Sequence, residues 1–166
     1  MQDRPVDWQD DGHCFACGPR NPIGLHLRFE ETDTGMKTRF VPDCCYQGYQ
    51  GVVHGGVVAT LLDEVAIQLL WAKGYTSVTA RLEVRFLKPV PVGKEVVAEA
   101  TLLARTGRAY RVNAVVKDAD GDTLATATAT CLKVKATAGA ARETPGRRDA
   151  PNGVPPPGRT SRPSEH

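Results

Sequence analysis

Two groups of polar residues interrupt the apolar run 51–73, GVVHGGVVATLLDEVAIQLLWAK: His54-Gly55-Gly56 at its start and Asp63-Glu64 in its middle. The run has helical spacing, with Val57, Val58, Leu61, Leu62, Val65, Leu69 and Leu70 recurring at steps of three and four. The first amides of such a helix lack internal partners. With the helix dipole behind them they can bind an anion or polarise a carbonyl. Gly55 and Gly56 are poor helix formers, and glycine there lets a ligand or another backbone approach closely. Asp63 has Ala59, Thr60, Ala66 and Ile67 one turn away, with no Lys or Arg among them. A carboxylate on an apolar face is costly to bury unpaired, which marks it as a functional candidate. The competing reading is a surface or interface acid, or one that caps a loop amide. Glu64 shares the polar edge of the helix with Thr60 and Gln68. His54 suits a loop hydrogen bond or a helix cap better than catalysis, because no acid is spaced to orient it as in a triad.

A second group lies near the start of the chain, in HCFACGPRNPIGLHLRFE. Cys14-Phe15-Ala16-Cys17-Gly18 reads as a tight knuckle, and Asn21-Pro22 and Gly24 continue the turns. One reading is half of a zinc site, completed by His13, by Cys44 and Cys45, or by a second subunit. The other is a turn whose thiols are small buried groups. A single C-x-x-C falls short of four ligands, so the sequence reading assigns no metal and no cofactor. The five cysteines are odd in number, which favours free thiols over a disulfide framework. The loop 42–53, PDCCYQGYQGVV, leads into the helix, and loops in that position often carry binding groups. Gln47, Tyr49 and Gln50 are its candidates, against the alternative of solvated loop residues.

These groups need a scaffold. The helix is apolar nearly all round, so it should be buried, and Gly74 should end it. Leu25 to Glu31 alternates as a strand, and Lys37 to Val41 reads as its hairpin partner. After the helix the period is two throughout. Val78, Ala80, Leu82, Val84 and Phe86 should face one way, and Ser77, Thr79, Arg81, Glu83 and Arg85 the other. Strands follow at Lys94 to Leu103, around Tyr110 to Lys117, and at Thr123 to Val134, with a hairpin signal at Asp120-Gly121. Ala125, Ala127 and Ala129 on one face of the last strand would let a helix pass close. The sum is an α+β domain: a curved antiparallel sheet of about six strands wrapped around one long central helix. Such a sheet has exposed edges, and pairing them between two copies predicts a dimer.

The chain has 166 residues, of which 41% are hydrophobic, enough for one domain with a real core. Residues 1–135 hold 16 Lys+Arg and 16 Asp+Glu, so the net charge of +2 comes from the tail. A neutral domain argues against nucleic-acid binding as the main task. No apolar run was expected to span a bilayer. The acidic N-terminus shows no secretory signal, so a cytoplasmic location is expected. Residues 1–12 read as a flexible arm and 13–135 as the domain. The tail 136–166, with 6 Pro, 4 Gly and no aromatic residue, reads as disordered.

The order of elements, with His-Gly-Gly at the helix start, resembles the hotdog-fold thioesterase superfamily, and most closely its PaaI-type and 4-hydroxybenzoyl-CoA thioesterase-like branch. Three pieces carry the resemblance over about residues 13–134: CFACGPRNPIGLHLRF, HGGVVATLLDE and RLEVRFLKPVPVGKEVVAEA. It implies hydrolysis of an acyl-CoA thioester without a cofactor. Its catalytic acid falls nine positions after the His, at Asp63, as general base or nucleophile, and its oxyanion donors match the amides of Gly55 and Gly56. It places the site at a dimer interface, in a homodimer or a dimer of dimers. Relatives often carry Asn or Gln six positions before the His. Here that position is Gly48, so Gln47 or Gln50 would have to fill the role. Coenzyme A is polyanionic, and Arg81, Arg85, Lys88, Arg105 and Arg108 are the candidates to meet it. The alternative function is an acyl-CoA or acyl-ligand binding module that uses the fold without turnover.

Overall fold

The computed structural model describes residue 8 and residues 10–134. Most of the expected N-terminal arm and the whole expected tail lie outside the described residues. The elements in chain order are β1 (Phe29–Thr32), β2 (Gly35–Phe40), β3 (Gln47–Tyr49), β4 (Val52–Val53), α1 (Gly55–Ala72), β5 (Ser77–Phe86), β6 (Val96–Thr106), β7 (Ala109–Asp118) and β8 (Thr123–Lys133).

Six strands form one antiparallel sheet in the order β1-β2-β6-β7-β8-β5. The sheet packs along one side of α1, in the expected helix-in-sheet arrangement. Val58, Leu61, Leu62, Val65, Ala66, Leu69 and Leu70 of α1 are buried in it. Burying a Val or Leu side chain contributes about 1.5–3 kcal/mol, so this one helix is a large part of the core. The facing sheet positions alternate as a half-buried strand must. Ala98, Ala100, Ala114, Ala125, Ala127 and Ala129 are all buried beneath the helix, and their small side chains let it sit close to the sheet. By length and composition alone α1 is apolar enough to cross a membrane, contrary to the expectation from the run lengths. Its contacts with β2, β5, β6, β7 and β8 account for that apolar character.

Gly74 ends the helix with a φ of 76°. Its N–H donates to the Trp71 carbonyl, and the Tyr75 N–H to the Leu70 carbonyl, the bonds that close a helix on a left-handed glycine.

Three local expectations change. Leu25 and Leu27 are buried but not in a strand. Their amides donate to the Phe15 and Ala16 carbonyls, and His26 between them has a positive φ of 51°. The loop before the helix contains a short 3-10 turn at Cys44–Tyr46 and the two-stranded β3–β4 ribbon. The third change is in β5. Thr79 pairs with Cys131 and Arg81 with Thr130, so Ala80 is an extra residue, a bulge. A bulge switches which side chains face inward. Beyond it Leu82 and Val84 pack on the core as expected, but before it Thr79 faces the helix and Ala80 is exposed.

Candidate active site

Asp63 projects from the middle of α1 toward β5. Its Oδ1 accepts a hydrogen bond of 2.6 Å from the Thr79 hydroxyl. Burial pushes its carboxyl above the ordinary carboxylate range. The Thr79 bond works against that shift, and the neighbouring charge of Glu64 adds to it. Among the described residues no cation pairs with Asp63. Cys131, fully buried on β8, lies beside this pair. Burial raises its thiol first, a Thr79 bond lowers it, and Asp63 raises it further. Thr79 escaped the sequence reading because the alternation of SVTARLEVRF continues unbroken through the bulge. Nothing in the order of residues marks Ala80 as the extra one.

His54 is the N-cap of α1. Its Nδ1 accepts from the Gly56 N–H at 2.9 Å, while its carbonyl accepts from Val57 and Val58. A ring nitrogen thus does the work usually given to a Ser or Asp oxygen. The Gly56 amide is therefore occupied within its own chain. The Gly55 amide has no hydrogen-bond partner among the described residues, and it is the open donor at this helix end. A Cβ on Gly55 would stand 3.4 Å from the Phe86 ring, so Phe86, itself 57% exposed, forms one wall beside that amide.

Eight residues separate Gly55 from Asp63, about 12 Å along a helix axis. Within one chain the open amide and the carboxylate do not meet at one carbonyl. β5, next to Asp63, is an edge strand of the sheet, with no neighbour on its outer side among the described residues.

The remaining candidates are spread out. A Cβ on Gly48 would lie 3.2 Å from the His54 Cα, so this glycine packs against the cap residue and supplies no amide side chain. Gln47 spends its Oε1 on the Gly51 N–H at 3.2 Å, and Gln50 is exposed. Arg81 pairs with Glu83 at 2.8 Å, on the face of β5 turned from the helix, where Arg85 also lies exposed. Lys88 pairs with Asp122 at 2.6 Å. Its amide donates to Leu124 at one end of β8, whereas the Arg108 carbonyl accepts from Lys133 at the other. Those two ends are about 30 Å apart at strand rise, so Lys88 and Arg108 do not share one rim within a chain. The Arg105 guanidinium sits 5.3 Å from the Tyr75 ring centre and 5.6 Å from that of Tyr110.

Against known proteins, residues 50–125 match the family described as "Thioesterase superfamily". That span holds α1, the His-Gly-Gly cap, Asp63 and Thr79. Over that stretch, somewhat under half of the chain, the sequence is similar to the thioesterase superfamily. Its helix-in-sheet architecture is the hotdog fold of that superfamily. Acyl-coenzyme A thioesterase THEM4 of Rattus norvegicus is 36% identical over 89 residues, 54% of this chain and 38% of the relative. The match thus spans well under half of that relative's length. A solved thioesterase superfamily protein superposes with a TM-score of 0.70 at 27% identity, covering 74% of this chain and 61% of the other. A putative thioesterase of Ralstonia eutropha JMP134, a phenylacetic acid degradation-related protein, gives 0.59 at 28% identity, covering 65% and 85%.

Proposed function

We propose that this chain is a thioesterase that hydrolyses an acyl-CoA thioester to the free acid and coenzyme A. The observation that carries the reading is Asp63: a half-buried carboxylate with no cation paired to it among the described residues, held by one hydroxyl and raised in pKa by burial. Raised carboxyls of this kind are suited to take a proton from water, and an unprotonated one can attack a carbonyl directly. The acyl-CoA assignment is supported by the THEM4 relative, a named acyl-coenzyme A thioesterase.

In this mechanism the thioester carbonyl lies over the Gly55 amide at the start of α1. There the unsatisfied N–H and the helix dipole stabilise the oxyanion as the carbonyl carbon becomes tetrahedral. Asp63 of a second copy, brought in by pairing across the open edge of β5, takes a proton from the attacking water or forms the acyl-enzyme itself. Thr79 holds the carboxylate in one orientation. Collapse of the tetrahedral species expels the coenzyme A thiolate, and on the acyl-enzyme route water then hydrolyses the acyl-aspartyl anhydride, releasing the acid and regenerating Asp63. His54 keeps the amides of the helix start aligned.

A second reading, an acyl-CoA-binding module without turnover, draws on two observations. Gly48 leaves the loop without a side-chain amide at that position, and the Gly56 N–H is already bonded. A panel of aryl, short-chain and long-chain acyl-CoAs separates the two readings, with thiol release read by a colorimetric reagent. Turnover with at least one substrate, reduced about a hundredfold or more in Asp63→Asn, is expected. A wild-type rate in that variant removes Asp63 from the mechanism. Saturable binding without thiol release supports the binding module.

A further inference from the structure

The knuckle at the start of the domain does not act in the mechanism above, yet the fold carries it onto the helix next to that site. Cys14, Cys17 and Glu64 come together although 50 residues separate the first from the last. One ligand atom from each lies within 4.8 Å of the others. The Cys14 Sγ is 3.9 and 4.0 Å from the two Glu64 oxygens. The Gln68 Nε2 stands beside them, 2.8 Å from Glu64 Oε1 and 3.6 Å from Cys17 Sγ. His13, Cys44 and Cys45, named in the sequence's zinc reading as possible partners, are not in the group. His13 pairs with Asp11 at 3.4 Å, and Cys44 and Cys45 are exposed in the 3-10 turn.

We propose that Cys14, Cys17 and Glu64 bind one zinc ion, which clamps the N-terminal knuckle to the middle of α1. The donor set is that of a zinc site: two soft sulfurs and a carboxylate oxygen. The spacing also fits. With Zn–S near 2.3 Å and Zn–O near 2.0 Å, a tetrahedron sets its sulfur and oxygen corners about 3.5 Å apart. The observed 3.9–4.0 Å needs only a small contraction. Turning the Gln68 amide end for end presents Oε1 in place of Nε2, which offers a neutral oxygen for the fourth place.

Electrostatics call for a cation here. Two thiols and a carboxylate face one another, half enclosed, and no Lys or Arg pairs with Glu64 among the described residues. Metal binding supplies that positive charge and releases the two thiol protons, with no redox step. The knuckle is rigid enough to hold the ligands. The Gly18 N–H donates to the Cys14 carbonyl at 2.9 Å, and a Cβ on Gly18 would run into the Cys14 backbone.

The test uses the full chain with Cys44→Ser and Cys45→Ser, which removes the vicinal exposed pair as a decoy, kept reduced throughout. Protein from zinc-supplemented culture is expected to retain about one zinc per chain. Cobalt exchanged into it should give thiolate charge-transfer absorption and the visible bands of a four-coordinate ion. Cys14→Ser and Cys17→Ser should each abolish that spectrum. Glu64→Gln, outside the knuckle, should keep a sulfur band while weakening binding at least about tenfold. Chelator should lower the melting temperature of the parent but not of Cys14→Ser. These readouts do not depend on thioesterase activity, so they stand or fall apart from the function proposed above. Protein free of zinc with a hexaaquo cobalt spectrum would overturn the proposal. So would metal retained undiminished in both serine variants, or a Cys14–Cys17 disulfide in the zinc-supplied protein.

Discussion

The Thr79 hydroxyl donates to Asp63 Oδ1 at 2.6 Å, across the gap between β5 and the central helix. This bond stabilises the charged form of a carboxylate that burial otherwise disfavours. Thr79→Ala should therefore raise the Asp63 pKa further and move the acid limb of the kcat/KM profile to higher pH. Thr79→Ser should restore it. Rates from acid to neutral pH check this, with chelator present so that Glu64 keeps the surroundings described above. An unmoved limb in Thr79→Ala would mean that the bond does not tune the reacting group.

The same shift bears on stability. Because the folded pKa of Asp63 lies above its unfolded value, the native state binds the extra proton between the two. Stability therefore falls as pH rises through that window. Asp63→Asn removes the titration. Its melting temperature is expected to exceed that of wild type at neutral pH, with the gap closing as pH falls below about 4, near the ordinary carboxylate value. Calorimetry at the two pH values gives the sign directly.

Gly55 is expected to matter for catalysis and little for folding. A Cβ there meets the Phe86 ring at 3.4 Å, an ordinary contact, so Gly55→Ala should fold with stability within about 1 kcal/mol of wild type. The added methyl stands beside the open amide, and kcat/KM is expected to fall about tenfold or more. Circular dichroism melts and thiol-release rates on the same preparation separate the two effects.

If each site takes its amide from one copy and its carboxylate from the other, two impaired variants should complement. Asp63→Asn mixed with Gly55→Ala, unfolded and refolded together, yields heterodimers with one intact site. Random pairing restores about a quarter of wild-type activity. Activity no higher than that of the separate variants would place the whole reaction within one chain.

His54→Ala should cost about 1 kcal/mol of unfolding free energy, the usual loss for a removed N-cap, and His54→Asn should recover most of it. Urea titration measures both.

The periodicity of residues 51–73 and the alternation after it were enough to specify a buried helix against an antiparallel sheet, because burial pattern and period are local properties of the chain. The special character of Asp63 was also legible, since its neighbours along the helix include no cation. So was the fitness of His54 for a cap. Three relationships were settled only in three dimensions. The bulge at Ala80 turned Thr79 toward Asp63, and a one-residue slip in strand pairing has no signature in an unbroken alternation. The His54 ring took the Gly56 amide and left Gly55 open, a choice set by the angle at which the loop enters the helix. Glu64 joined Cys14 and Cys17 because packing laid the N-terminal knuckle on the polar edge of α1. Spacing along a chain reports which residues can share a face, but which faces meet depends on how the whole sheet closes over the helix.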